Sequence, residues 1–360
     1  MNRTILVTGG AGFIGSALVR HLIRHTSARV VNVDSLTYAG TLGSLADVVD
    51  SPRYVWERVD IRDRPALKDV FDRHGPNAVF HLAAESHVDR SIDGPAAFVD
   101  TNLVGTFNLL QAAREAWSAD AGHARLQNKN AAHPFRFIHV STDEVFGSLG
   151  ETGAFTADSP YRPNSPYAAS KAGADHLARA WYHTYGFPVI VTNCSNNFGP
   201  YQFPEKLIPH MILCAIEGRD LPVYGKGANV RDWIFVEDHV RGLVRALEAG
   251  RPGMAYLFGG DAQRRNLDVV RAICELLDGM SPAPDGRGHR ERIRFVADRP
   301  GHDERYAIDA TDTREELGWS PEGTFEEHLR TTVAWYVSRE DWWGPIRSGA
   351  YRGERLGMLR

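Results

Sequence analysis

At 360 residues, with 43% hydrophobic and 24% charged side chains, the chain can bury one large core or two closely joined ones. A formal charge of −4 and scattered basic residues argue against nucleic-acid binding. No apolar stretch approaches the ~20 residues that span a bilayer, and three dispersed cysteines, Cys194, Cys214 and Cys274, suit neither a disulfide framework nor a zinc site.

The start, Met1-Asn2-Arg3-Thr4, leads straight into a strand and a glycine loop rather than a signal peptide, so a cytoplasmic location is expected. Apolar runs at Ile5–Val7, Val30–Val33, Ala78–Leu82, Phe137–Val140 and Val189–Val191 read as buried strands. Helical patterns near 13–26, 64–74, 96–117 and 166–184 separate them. Such alternation predicts an α/β fold, a Rossmann-type doubly wound parallel sheet covered on both faces. Beyond residue 195 the texture changes. Short strands at Leu221–Tyr224, Trp233–Val236 and Tyr256–Phe258 alternate with helices near 205–217, 237–249, 266–278 and 324–338. The expected division is a Rossmann-type domain over 1–194 and a smaller α/β substrate-binding lobe over 195–360, with the chain free to cross between them. Ser118–Pro134 and Gly279–Arg290 read as surface loops.

Thr8-Gly9-Gly10-Ala11-Gly12-Phe13-Ile14-Gly15 joins the first strand to the first helix. Glycines at 9, 12 and 15 permit a tight turn and close approach of backbone to a pyrophosphate, whose charge suits the helix N-terminus. Asp34 ends the second strand, where an acid meets the ribose hydroxyls; it repels a 2′-phosphate, and Ser35 and Leu36 offer no arginine, so NAD is favoured over NADP. Asp60 and Ile61 fall where a loop can reach the adenine.

Tyr167 and Lys171 are four apart and share a helix face. A nearby ammonium is expected to lower the tyrosine pKa and make it a general base for a sugar hydroxyl. Thr142-Asp143-Glu144 follows the strand at 137–140, at the carboxyl edge where such sheets bind ligands. Simple alcohol oxidation needs no adjacent carboxyl pair; an acid and a base with separated pKa values point to a second step. His81, His87 and His139 lack the spacing of metal ligands and read as packed histidines, so no metal is expected.

These residues resemble the extended short-chain dehydrogenase/reductases, and within them the dTDP-glucose 4,6-dehydratases. The resemblance runs through TGGAGFIGS (8–16), DSLTYAG (34–40), HLAAESHVDRSI (81–92), STDEVFG (141–147), SPYAASKA (165–172), TNCSNNFGPYQFPEKLIP (192–209), YGKGANVRDWIFVEDH (224–239) and DRPGHDERYAID (298–309). It implies a lyase that holds NAD tightly and regenerates it each turnover. Tyr167 would take the O4 proton of dTDP-glucose while Thr142 hydrogen-bonds the same oxygen. Glu144 would remove the C5 proton, Asp143 would protonate the departing C6 hydroxyl, and hydride would return to C6 to give dTDP-4-keto-6-deoxy-glucose for deoxysugar biosynthesis.

The resemblance also implies cofactor contacts at Gly9, Gly12, Phe13, Ile14, Gly15, Asp34, Ser35, Leu36, Thr37, Asp60, Ile61, Leu82, Ala83, Ala84, Ser86, Thr101, Tyr167, Lys171 and Asn197. Substrate contacts are implied at Ser86, Thr142, Asn196, Glu205, Lys206, Leu207, Pro222, Tyr224, Arg231, Asn266, Arg299, His302 and Tyr306, with Arg231 as the diphosphate partner. Phe146 and Phe198 stand where relatives often carry tyrosine, which puts any hydrogen bond there in doubt. Helices near 98–117 and 166–184 would pair with those of a second copy in a four-helix bundle. A nucleotide-sugar 4-epimerase or another NAD-dependent nucleotide-sugar dehydratase is the alternative, and the epimerase has no need of the Asp143–Glu144 pair.

Overall fold

The computed structural model describes residues 3–118 and 134–349, so the expected loop at Ser118–Pro134 lies, over 119–133, outside the described residues. Chain order begins with β1 (Thr4–Thr8), α1 (Phe13–His25), β2 (Arg29–Val33), β3 (Tyr54–Glu57), α2 (Arg64–His74) and β4 (Ala78–His81). It continues through α3 (Val88–Asp93), α4 (Pro95–Phe98), α5 (Thr106–Trp117), β5 (Arg136–Thr142), α6 (Pro166–Tyr185) and β6 (Val189–Cys194). Among the described residues, seven strands form one sheet in the order β10-β6-β5-β4-β1-β2-β3, where β10 is Ala255–Phe258. Every pairing in it is parallel. Leu6, Val7, Val31, Val79, Phe137 and Ile190 are fully enclosed, as the unbroken apolar runs require of strands covered on both faces.

After β1 the chain builds outward to β2 and β3, then returns to lay β4 on β1's other side. That reversal opens a crevice above the carboxyl ends of β1 and β4, where doubly wound sheets bind ligands. Local signals set the helices around it. In α2 the Asp63 carboxylate accepts the Ala66 N–H at 3.0 Å, and in α6 the Ser165 hydroxyl accepts that of Ala168 at 3.0 Å. Both helices end on a left-handed glycine, Gly75 and Gly186.

The second half supplies β7 (Asn196–Phe198), α7 (Leu207–Ile216), β8 (Leu221–Tyr224), β9 (Val230–Phe235) and α8 (Val236–Ala249). Beyond β10 follow β11 (Gln263–Arg265), α9 (Asn266–Met280), β12 (Ile293–Val296), α10 (Thr311–Leu317), α11 (Phe325–Ser338) and α12 (Glu340–Ser348). β11, β9 and β7 make a small sheet, and β12 pairs with β8. A cut at residue 194 does not separate the two layers, because β10 pairs with β6 and residues of α8 share the apolar cluster of β1 and α1.

Several elements differ from the sequence expectation. The helix expected over 96–117 is interrupted by a wide π-helical stretch, Val99–Gly105, and a Cβ on Gly105 would stand 2.6 Å from Ile61. The strand expected at 233–236 begins at Val230, because backbone pairing with β7 and β11 carries it through polar Arg231 and Asp232; Val236 already opens α8. Gly279 and Met280 close α9 rather than starting the loop, and His289–Arg292 form a 3-10 turn. Helix α3, strand β3 and the three-residue strands β7 and β11 are too short or too polar to stand out in the sequence.

Candidate active site

The glycine turn lies in the crevice. Gly9, at φ +72, sits so close to β4's end that a Cβ would meet the Ala83 nitrogen at 2.6 Å. At Gly15 a Cβ would stand 2.0 Å from the Gly9 carbonyl oxygen. Gly12 differs: its Cβ would touch only that carbonyl, at 3.2 Å, while the residue lines the cleft. Gly12 is also the N-cap of α1, with no side chain capping the helix, so the first-turn N–H groups are left for an anion. Asp34 accepts the Ala11 N–H at 2.9 Å and the Leu36 N–H at 2.8 Å. Burial pushes its carboxyl up against those two bonds.

The cleft has a volume of about 340 Å³. Of the residues expected to hold a cofactor, Leu36 alone does not line it: its backbone turns left-handed at φ 54 to give its N–H to Asp34. Thr142, Asp143, Glu144, Tyr167 and Lys171 share the cleft with the glycine loop, as do Ser86, Asn196, Glu205 and Lys206.

At β5's carboxyl end the Thr142 hydroxyl accepts the Glu144 N–H at 3.3 Å, capping a 3-10 turn over Asp143–Phe146 that Gly147, at φ 84, terminates. The two carboxyls therefore project from one fixed turn. Asp143 is 2% exposed and its Oδ2 has no partner among the described residues. Burial, then the charges of Glu144 and Asp232, push it well above the usual carboxylate range. Burial also raises Glu144, but the Arg299, Lys206 and Arg231 cations pull it back. One turn thus presents two carboxyls, both raised by burial, with the rise at Glu144 opposed by Arg299, Lys206 and Arg231.

A raised native pKa means that the folded state keeps a proton that the unfolded chain releases near pH 3.8. Stability therefore falls as pH rises above that value, for as long as the folded state still holds the proton. Asp143→Asn, which cannot ionise, is expected to melt higher than the parent at pH 7 and to lose most of that advantage near pH 4. Thermal melts at the two pH values check this; equal differences at both would contradict it.

Tyr167 lies where α6 meets the turn, packed with Val88 and Phe98. Lys171 stands one turn further along the same helix. The ammonium donates to the Val140 carbonyl at 2.8 Å, and burial with the Glu144 charge pushes the phenol well above its ordinary range, opposed by a hydrogen bond with Thr142. The sequence gives the four-residue spacing but not the depth at which the pair is buried.

Beyond the cleft, Leu207, Pro222, Tyr224, Arg231, Asn266, Arg299, His302 and Tyr306 lie on the second lobe and do not line it. Tyr224 donates to Asp89 at 3.1 Å and Arg299 to the same carboxylate at 3.2 Å; the His302 ring is edge-on to Tyr224. Arg231, the expected diphosphate partner, is 4% exposed. It donates to the Val230 and Asp303 carbonyls at 2.8 and 2.9 Å and stacks on Tyr306 at 4.2 Å. Arg299 Nε, buried and without a partner among the described residues, is the more available donor. Glu205 faces the wall: its carboxylate accepts from Tyr38 and Arg90.

Sequence reasoning passes over the second tier. Asn102 accepts the Glu85 N–H at 2.8 Å and donates to the Glu85 carbonyl and to Ser170, one residue before Lys171. Asp175, completely buried one turn after Lys171, accepts from His139 at 2.9 Å, Tyr161 at 2.8 Å and Asn193 at 3.2 Å. Asn193 also donates to the Thr142 carbonyl at 3.0 Å. His81 bridges Thr8 and Thr106, and His87 caps α3. The three cysteines are buried free thiols, and burial pushes Cys194 up to about 12. Phe146 packs on Phe155 and Tyr161, and Phe198 on Trp233, Phe235 and Phe325.

A glycine turn at the switch point of a parallel sheet, with a Tyr-x-x-x-Lys pair on the helix after β5, defines an extended short-chain dehydrogenase/reductase. A family model described as GDP-mannose 4,6 dehydratase matches residues 6–332. A Neisseria meningitidis protein named dTDP-glucose 4,6-dehydratase is 57% identical over 359 residues, covering 99% of each chain. The solved dTDP-glucose 4,6-dehydratase of Streptomyces venezuelae, with NAD bound, superposes with a TM-score of 0.85 at 44% identity, over 95% of this chain and 99% of that one. A Thermus thermophilus UDP-glucose 4-epimerase in complex with NAD gives 0.80 at 27% identity, over 93% and 99%. The chain belongs to the dTDP-glucose 4,6-dehydratase family.

Proposed function

We propose that the chain binds NAD and converts dTDP-glucose to dTDP-4-keto-6-deoxy-glucose and water, in deoxysugar biosynthesis. Epimerases share the fold, so the architecture does not decide the reaction. The observation that carries the reading is the Asp143–Glu144 turn, which sets two adjacent buried carboxyls in the same cleft as Tyr167 and Lys171.

The residues present fit the dinucleotide: Gly12 leaves space where a Cβ would intrude, the α1 N-terminus is uncapped, and Asp34 meets ribose hydroxyls while repelling a 2′-phosphate. Bound NAD supplies a hydride acceptor for C4 and, afterwards, a hydride donor for C6. Tyr167 receives the O4 proton, its ionisation aided by the hydrogen bond with Thr142, an effect to which the positive charge of bound NAD would add. The C4 ketone acidifies the C5 hydrogen, and Glu144 takes it as a proton. Asp143 gives its proton to the C6 hydroxyl, which leaves as water with the C6–O bond electrons. Hydride arriving at C6 and a proton at C5 complete the product, so only water is lost overall. Arg299 and Lys206 supply positive charge near Glu144 where the substrate diphosphate would lie.

A homodimer completes the reading. Val99, Val104, Phe107 and Tyr185, on the α4–α5 and α6 segments, are exposed and apolar, as a four-helix bundle with a second copy requires. No helix among the described residues is long and apolar enough to cross a membrane, and free buried thiols suit the cytoplasm.

The test incubates purified protein with dTDP-glucose and no added cofactor. The 4-keto-6-deoxy product should form. Accumulating free NADH or dTDP-galactose instead would refute the assignment.

A further inference from the structure

The loop after β2 and the segment before α7 are tied together beside the cleft. Thr37, Ala39 and Gly40 line the cleft on one side and Phe203, Glu205 and Lys206 on the other. Between them, the Tyr38 hydroxyl donates to Glu205 Oε1 at 2.9 Å, and its ring stands edge-on to Phe203 with centroids 5.5 Å apart. Arg90, from α3, lays its guanidinium over the Tyr38 ring at 3.9 Å and donates Nε to Glu205 Oε2 at 3.1 Å. Both oxygens of one carboxylate, whose side chain is 2% exposed, thus join partners 167 and 115 residues away in sequence. A second tie runs from Lys206 Nζ to the Ser86 carbonyl at 2.7 Å.

Charge is managed around this carboxylate. Arg90 balances it, and His87, 4.0 Å away, is pushed down to about 2 by burial and by the Lys206, Arg90 and Arg299 cations, so it stands neutral. Hydrogen bonds to an ionised acceptor out of water are stronger than neutral ones, and a guanidinium over an aromatic face adds to them. The acid–base chemistry uses none of Tyr38, Glu205 and Arg90. The loop they hold carries Asp34 and Ser35, and the segment they hold follows Asn196 and Asn197 along the same cleft.

We infer that Tyr38, Glu205 and Arg90 form a clasp that retains the dinucleotide between turnovers; this rests on the reading of NAD as resident cofactor. A cofactor that ends each cycle as it began gains nothing by leaving, and parting the loop after β2 from the segment before α7 requires this clasp to break. Glu205 is then a positioning residue for the loop over the cofactor rather than a contact of the substrate diphosphate.

The test compares NAD retained per chain, and its loss rate after dilution, in the parent, Tyr38→Phe and Glu205→Gln. The parent should keep near-stoichiometric NAD through desalting, and each variant should release it about tenfold faster, as loss of one charge-assisted hydrogen bond allows. Glu205→Gln preserves side-chain volume and stands as the second variant should Tyr38→Phe misfold. A parent holding NAD with both variants releasing it at the parental rate overturns the clasp alone. A parent without NAD overturns the cofactor assignment on which the clasp depends.

Discussion

Glu144→Gln is expected to leave oxidation at C4 intact and to stall elimination, so that reduced nicotinamide builds up on the protein while product formation falls by about 10²–10⁴-fold, the span of general acid–base catalysis. Glutamine keeps the shape of the side chain and cannot accept the C5 proton. Arg299, Lys206 and Arg231 oppose the rise that burial imposes on Glu144, whereas burial with the Glu144 and Asp232 charges pushes Asp143 well above the usual carboxylate range. Rapid-mixing absorbance of reduced nicotinamide, with exchange of the C5 hydrogen against deuterated solvent, follows the two steps separately. In Tyr167→Phe neither signal should appear, because the first proton transfer is lost. Product formed by Glu144→Gln at the parental rate would remove Glu144 from the mechanism.

Gly15→Ala is expected to cost both the cofactor and the fold around it. The added Cβ would stand 2.0 Å from the Gly9 carbonyl oxygen and 2.8 Å from the Gly10 Cα, both backbone atoms, so either α1 or the turn must move. Overpacking of this kind costs about 1–3 kcal/mol. Gly12→Ala provides the contrast, since its Cβ meets only the Gly9 carbonyl, at 3.2 Å, and otherwise enters the cleft. Without NAD, Gly12→Ala should melt near the parent and Gly15→Ala well below it. Excess NAD should raise the parent's melting temperature, as about 2.7 kcal/mol of linkage at a hundredfold excess over Kd implies, and should raise neither variant's as far. Equal melting of the two variants without NAD would contradict this account of the turn.

What was legible in the sequence is what is local. The glycine spacing, Asp34 at a strand end, Tyr167 four residues before Lys171 and the Thr142–Glu144 turn are each carried by a few consecutive positions, and the cleft gathers them all. Less legible was whatever depends on depth or on distant partners. Burial raises Tyr167, at a depth that its spacing from Lys171 does not reveal, and Arg231 donates to carbonyls of its own lobe, among them that of Asp303, far off in sequence. Glu205 reads as a substrate contact within its motif but faces Tyr38, 167 residues away. In the fold, the strands β7 and β11 and the start of β9 at Val230 rest on backbone pairing, which leaves no apolar rhythm to read. Asp175 and Asn102 gave no signal because a single polar residue inside a helix announces nothing until its partners are in place.

The central claim is that one hydride leaves C4 and comes back to C6 of the same molecule, with Glu144 and Asp143 removing water between the two transfers. It is tested most directly by incubating the protein with dTDP-glucose deuterated at C4, in ordinary water, and locating the label in the product by NMR. The account predicts one deuterium in the C6 methyl group for each labelled substrate consumed. Label released to solvent, held in free reduced cofactor or returned to C4 would contradict it.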